Sequence, residues 1–210
     1  MKEKKMPIDK PMISELKDME KPLLQEDVSQ KQLSNYMGKL EAEKIEISKS
    51  KFLHTNSIES HFRKVIFSDV LFENCDFSNT YWEECSFIRV QFQNCKLMGT
   101  SWLENYFYHV YFEENRMNYA NFSGSQMKEI AFQNCNLQEA NIEEVKAKHL
   151  SLQNCNLMTS SFFHTSLKDI DLSTCDIEGI TVGLEEIKGT IVNSMQALDL
   201  SKLLGIVIKD

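Results

Sequence analysis

The chain has only three prolines, Pro7, Pro11 and Pro22, all near its start. Proline removes a ladder hydrogen bond, so everything after Pro22 is free to pair through its backbone amides. No apolar run approaches the roughly 18 residues that a membrane-spanning helix needs. The charged opening Met1-Lys-Glu-Lys-Lys-Met6-Pro7 is followed by no apolar stretch. A secretory leader is therefore not expected, and a cytoplasmic location is. CxxC pairs are missing too, so the six cysteines are expected to be packed thiols rather than disulfides or zinc ligands. The chain contains no Gly-rich phosphate loop, no GxSxG and no HExxH. Its five histidines are scattered, and the paired acids Glu83-Glu84, Glu113-Glu114 and Glu143-Glu144 imply no pocket. The expectation is a chain with no catalytic residue, no cofactor, no metal, no membrane contact and no direct binding of nucleic acid.

What the chain does have is a phrase that returns every 20 residues: Phe72-Glu-Asn-Cys75-Asp-Phe77, Phe92-Gln-Asn-Cys95-Lys-Leu97, Phe132-Gln-Asn-Cys135-Asn-Leu137, Leu152-Gln-Asn-Cys155-Asn-Leu157 and Leu172-Ser-Thr-Cys175-Asp-Ile177. The missing member, Phe112-Glu-Glu-Asn115-Arg-Met117, keeps the apolar ends and exchanges the thiol for an amide. A period of five is nested inside. Of the 29 positions from Phe52 to Val192 taken every fifth residue, only Ser57 and Ala147 are not large and apolar, and twelve of the thirteen Phe and both Trp fall there. Two residues earlier stands a class of small or β-branched residues, among them Val65, Cys75, Thr80, Cys85, Val90 and Ala120. Neither the helical period of 3.6 nor the strand period of two accommodates a repeat of five. A short extended side followed by a corner does, and four such sides make a square coil of 20 residues. Stacked coils would then lie at the interstrand distance of about 4.8 Å. At that spacing His109 and His149, two coils apart, stand about 10 Å from one another, too far to share zinc.

The repeat resembles the pentapeptide-repeat family, whose fold is an all-β solenoid, a right-handed quadrilateral β-helix. On this reading residues 45–192 form the β-helix, residues 1–44 an N-terminal arm with a possible cap, and residues 193–210 a C-terminal helix and strand. Leu33, Tyr36, Met37 and Leu40 have helical spacing suited to a short cap over the first coil, although an irregular first coil serves as well. After Val192, Asn193 or Ser194 can cap a short helix, Gly205 is placed to end it, and Ile206-Val-Ile208 reads as a strand.

The C-terminal phrase Gln196-Ala197-x-x-Leu200 with Leu204-Gly205-Ile206-Val207-Ile208 is similar to the ends of Qnr-type quinolone-resistance proteins of this family. That resemblance implies a homodimer joined end to end, with Met195, Leu198, Leu203, Leu204, Ile206 and Ile208 as candidate interface residues. It also implies a protein partner, DNA gyrase or topoisomerase IV, bound by mimicry of DNA. The register runs unbroken, so the projecting insertions that many Qnr-type proteins carry are not present.

Residues 45–192 hold 20 acids and 12 bases, the other two segments being balanced, so the whole net charge of −8 belongs to the coil. Taking every twentieth residue gathers Glu83, Glu84, Glu104, Glu143 and Glu144 on one face, the candidate partner-binding residues. Lys128, Lys148, Lys168 and Lys188 are expected two sides away, across the square. Tyr106, Tyr108 and Tyr111 flank His109 at outward positions. Such a cluster can mark an interface, and tyrosine equally suits a pleated surface without one. The alternative to topoisomerase binding is a rigid dimeric scaffold for an unidentified protein.

Overall fold

In the computed structural model the chain is described over residues 8–19, 22, 24–207 and 209. Twelve strands precede one short helix: β1 Lys17–Asp18, β2 Val28–Ser29, β3 Lys31–Ser34, β4 Glu41–Glu43, β5 Glu46–Leu53, β6 His61–Arg63, β7 Ile66–Glu73, β8 Tyr81–Glu83, β9 Ser86–Gln93, β10 Tyr106–Glu113, β11 Gln126–Gln133, β12 Lys146–Gln153 and α1 Ser194–Ser201. All pair in parallel. One sheet runs β1-β3-β5-β7-β9-β10-β11-β12, with β2 also on β5, and a second runs β4-β6-β8. The register repeats every 20 residues, as in the column Phe52, Phe72, Phe92, Phe112, Phe132, Leu152. The result is a parallel β-solenoid with four sides per coil.

Corners explain the period of five. Every fifth residue from Lys44 to Asp169 has positive φ, between 46° and 63° wherever it is not glycine. A left-handed residue costs roughly 1–2 kcal/mol outside glycine. At each such corner the residue's own amide reaches the neighbouring coil, as Asn94 N donates to Glu113 O at 2.9 Å and Glu144 N to Phe163 O at 3.0 Å.

Inside, the large residues stack by column. Phe52, Phe72, Phe92, Phe112 and Phe132 lie face to face at 4.8, 4.6, 5.0 and 4.7 Å, and Phe62, Trp82, Trp102 and Phe122 at 4.4, 5.0 and 5.7 Å. The six cysteines are free and buried. Each thiol donates to the carbonyl 23 residues upstream, Cys75 to Phe52 at 3.4 Å for example. Burial pushes the Cys85 thiol up to about 12, which makes it inert at neutral pH. Asn115 stands where the cysteine is missing and bridges the coils in its place. Its Nδ2 donates to Phe92 O at 2.9 Å, and its Oδ1 accepts from Cys95 N at 2.7 Å.

Several expectations change here. The cap over Leu33–Leu40 is not helical, because Lys31–Ser34 is strand β3 and Met37 bridges Asn56. The ladder thus starts upstream of residue 45, in a coil whose register is 19 rather than 20: Val28 pairs with Ile47, and Leu33 with Phe52. The missing residue falls near Gly38, whose φ of +150° few other residues could adopt, and Glu41 already pairs with His61 at the full repeat. Asn193 caps α1, as expected, in a reciprocal box with Gln196. Gly205 ends the final turn at φ +70°. Ile206 and Val207 pair with no strand among the described residues, and Ile208 lies outside them. Ala147 is exposed despite its inward repeat position.

Candidate functional site

The five glutamates lie along one edge of the rod. Glu83 ends β8, Glu84 forms the corner after it, Glu104 and Glu144 form the corner one and three coils on, and Glu143 precedes that last corner. Glu83, Glu84, Glu104 and Glu144 border a shallow groove of about 350 Å³ with Leu103, Ser123 and Gly124; Glu143 stands beside it and accepts a hydrogen bond from Ser161 Oγ at 2.6 Å. Gly124 interrupts the column and leaves a gap between Glu104 and Glu144.

The charge reverses along this edge. The corner column reads Lys44, Lys64, Glu84, Glu104, Gly124, Glu144. Glu84 lies 3.4 Å from Lys64 Nζ and 4.0 Å from Arg63, and Glu83 lies 3.3 Å from His61 Nε2. These pairs are exposed and weak, but they blunt the acidic end nearest the N-terminus. The lysines are also not across the square. Glu144 turns the chain directly into β12, which carries Lys146 and Lys148, so acidic and cationic columns occupy adjacent sides. Five residues make one side, and Lys148 follows Glu143 by five.

The tyrosine cluster faces outward and is partly covered by the chain's own N-terminal arm, a contact the sequence does not reveal. The Asp9 amide donates to His109 Nδ1 at 3.1 Å, and the Met12 amide to Asp69 Oδ1 at 3.0 Å. Asp69 is buried and accepts two further bonds from Arg89, both at 2.7 Å. Ile8 to Pro11 and Gln91, Tyr111 and Gln133 border a cavity of about 350 Å³ beneath the arm.

At the other end Gln196 acts as a hook. It is buried, and its Nε2 donates to Leu172 O and Cys175 O, both at 2.8 Å, closing the last coil. Its place three residues after the N-cap was the available signal. The candidate interface residues Met195, Leu198, Leu203, Leu204 and Ile206 are all exposed, Met195 by 70%. Leu203 and Leu204 border an apolar cleft of about 530 Å³ with Leu184, Ile187, Val192 and Leu200. Among the described residues no group of three His, Cys, Asp or Glu could hold a metal ion, and no helix is long and apolar enough to cross a membrane.

Comparison with known proteins agrees with this architecture. The profile of the pentapeptide repeat region matches residues 65–142 and 125–194. A search of curated protein sequences finds no match. Among solved structures, a trypsin-treated variant of QnrB1, a plasmid-mediated fluoroquinolone resistance protein, is 15% identical, with a TM-score of 0.51 over 92% of this chain and 96% of that one. Full-length QnrB1 is 15% identical, with a TM-score of 0.50 over 87% and 98%. HetL of Nostoc sp. strain PCC 7120, a pentapeptide repeat protein involved in heterocyst differentiation regulation, is 16% identical, with a TM-score of 0.42 over 80% and 90%.

Proposed function

The chain belongs to the pentapeptide-repeat family, and from that premise we propose that it is a non-catalytic binding rod of the cytoplasm, dimeric through its C-terminal end, whose partner is a type II topoisomerase, DNA gyrase or topoisomerase IV. The observation that carries the reading is the acidic groove along the corner Glu84, Glu104 and Glu144, with Glu83 beside it. A slender rod with carboxylates on one edge can enter a basic channel built for duplex DNA. The exposure of Met195, Leu198, Leu203, Leu204 and Ile206, two of which border the apolar cleft, supports the dimer, since exposed apolar surface marks an interface. Ile206 and Val207, which pair with no strand among the described residues, would gain a strand partner in that dimer.

Charge sets the limit of the mimicry. From Glu84 to Glu144 the rod rises three coils, about 15 Å, over which duplex DNA carries roughly nine charges. The edge offers five carboxylates, with Arg63 and Lys64 against its first corner. That mixed edge favours a second reading, a rigid dimeric scaffold for a different protein. Purified protein at micromolar concentration separates the two: inhibition of gyrase supercoiling, or protection of gyrase from a quinolone, is expected. Glu104→Lys with Glu144→Lys should weaken that effect at least about tenfold. No effect on either topoisomerase overturns the topoisomerase reading. Leu203→Asp with Leu204→Asp should halve the mass seen by light scattering, and an unchanged mass overturns the dimer.

A further inference from the structure

Below β12 the ladder opens. On the neighbouring sides the amide of each large inward residue donates to the carbonyl nineteen residues on: Ile142 to Ser161 at 2.8 Å, Leu157 to Asp176 at 2.7 Å, Phe162 to Thr181 at 2.8 Å. Among the described residues no such backbone bond and no bridge joins β12 to residues 166–173, the coil beneath it. That coil turns instead, with Ile170 N bonded to Leu167 O at 3.1 Å, and pairs onward through Leu167 to Glu186 and Leu172 to Ile191, both at 2.8 Å.

Burial follows. Lys146, Ala147, Lys148 and His149 are all exposed, whereas Phe107 and Met127, which occupy the repeat position of Ala147 in β10 and β11, are buried. An unpaired edge in a closed solenoid is the kind of edge that recruits another strand. Here it is also cationic, on a coil of net negative charge. Lys146 and Lys148 lie on the edge, Lys128 lies one strand above with its Nζ 4.7 Å from the Tyr108 ring, and Lys168 lies on the coil below. Of the nearby acids, Glu129 is engaged by His149 at 2.6 Å, Glu186 lies 3.7 Å from His164, Asp169 adjoins Lys168, and Glu144 stands at the preceding corner.

We propose that the Lys146–His149 edge is a β-augmentation site for an extended acidic segment of a partner protein. The segment's backbone pairs with the free edge, its carboxylates meet Lys146, Lys148 and Lys168, and an apolar residue between them covers Ala147, whose small side chain leaves the room that Phe107 and Met127 fill in the strands above. Main-chain pairing supplies the affinity in this mode and alternate side chains the specificity. The site is separate from the glutamate edge and does not depend on the partner being a topoisomerase.

Fluorescence anisotropy with the full chain and a labelled peptide of alternating Glu and Val tests it at low salt. Saturable binding is expected. Lys146→Glu with Lys148→Glu should weaken binding at least about tenfold. These are exposed residues, and circular dichroism would verify the fold. Methylating alternate backbone nitrogens of the peptide leaves its charge intact and should cost as much, because it removes the donors that pair with the edge. The proposal is overturned by absence of saturable binding, by equal binding of the methylated peptide, by an unchanged constant in the double lysine variant, or by a single-stranded oligonucleotide competing as well as the peptide.

Discussion

The coils from Phe52 to Phe132 and those from Ala147 to Val192 share one repeat and differ in how they close. In the first group aromatic rings fill the inward column and sit face to face at about the interstrand spacing, so ring stacking and backbone pairing demand the same rise. In the second the inward residues after Ala147 are Leu, Ile and Val, with Phe162 the one aromatic among them. Aliphatic side chains impose no such rise. After β12 the two sides that carry the long strands give way to turns, and at the changeover one rung is left unpaired; the side of β4, β6 and β8 has already done so after β8. A five-residue repeat therefore specifies which residues point inward, but not whether a side is strand or turn, since Trp102 and Phe122 stack on turn sides and Leu152 lies in β12.

The sharpest way to break this comparison uses one substitution at two equivalent positions. Phe92→Asp buries a carboxylate between Phe72 and Phe112, with no partner for its charge. Loss of the native circular dichroism spectrum is expected, since an unpaired buried charge costs several kcal/mol or more against a total of about 5–15 kcal/mol. Ala147→Asp occupies the same place in the repeat but is exposed, and should shift stability by no more than about 0.5 kcal/mol. Equal damage at both positions would mean that the rung beneath β12 is closed.

Hydrogen exchange reads the same contrast without a mutation. Phe107 lies in a strand paired on both sides, to Phe87 and Met127, whereas Ala147 pairs only with Met127 above. The Ala147 amide should exchange roughly a hundredfold faster or more, because local opening there breaks fewer bonds. Matched rates would remove the physical basis for strand capture at this edge.

Most of the coil is legible in the sequence, because one residue class in five records both the inward face and the number of sides. The first coil is not, since a single missing residue near Gly38 shifts Val28 and Leu33 off the grid that starts at Ala42 and Ile47. Short apolar spacing at Leu33, Tyr36 and Leu40 then mimics a helix. The open rung left a trace, Ala147 being one of two small residues in the inward class, but Ser57, the other, is buried. Size alone could not separate them. The docking of the arm left none, because Asp9 and His109 are a hundred residues apart and the bond uses a backbone amide that any residue supplies. Of the glutamate edge, the spacing of the acids is read from the sequence, which says nothing of Lys64 and Arg63 leaning on Glu84.

A smaller effect distinguishes a corner pair under the arm from one in the open. Asp69 and Arg89 form a two-pronged pair, and Met12 adds a third donor; the Arg89 guanidinium chiefly, with the Met12 amide, holds the Asp69 carboxyl below its usual value of 3.8 against the opposing effect of burial. A carboxylate with a depressed value contributes stability that is fully present above the unfolded value and is lost as pH falls through the lower folded one. Asp69→Asn should therefore cost about 1–3 kcal/mol at neutral pH, by thermal melting, with the difference from the unaltered chain shrinking below about pH 4. Glu129 holds His149 at a comparable corner, but the histidine is 57% exposed and nothing covers it. Glu129→Gln should cost no more than about 0.5 kcal/mol. Equal costs would make the arm irrelevant to the Asp69 pair, whereas a larger cost at Asp69 that disappears in acid would tie the arm's docking to that buried carboxylate.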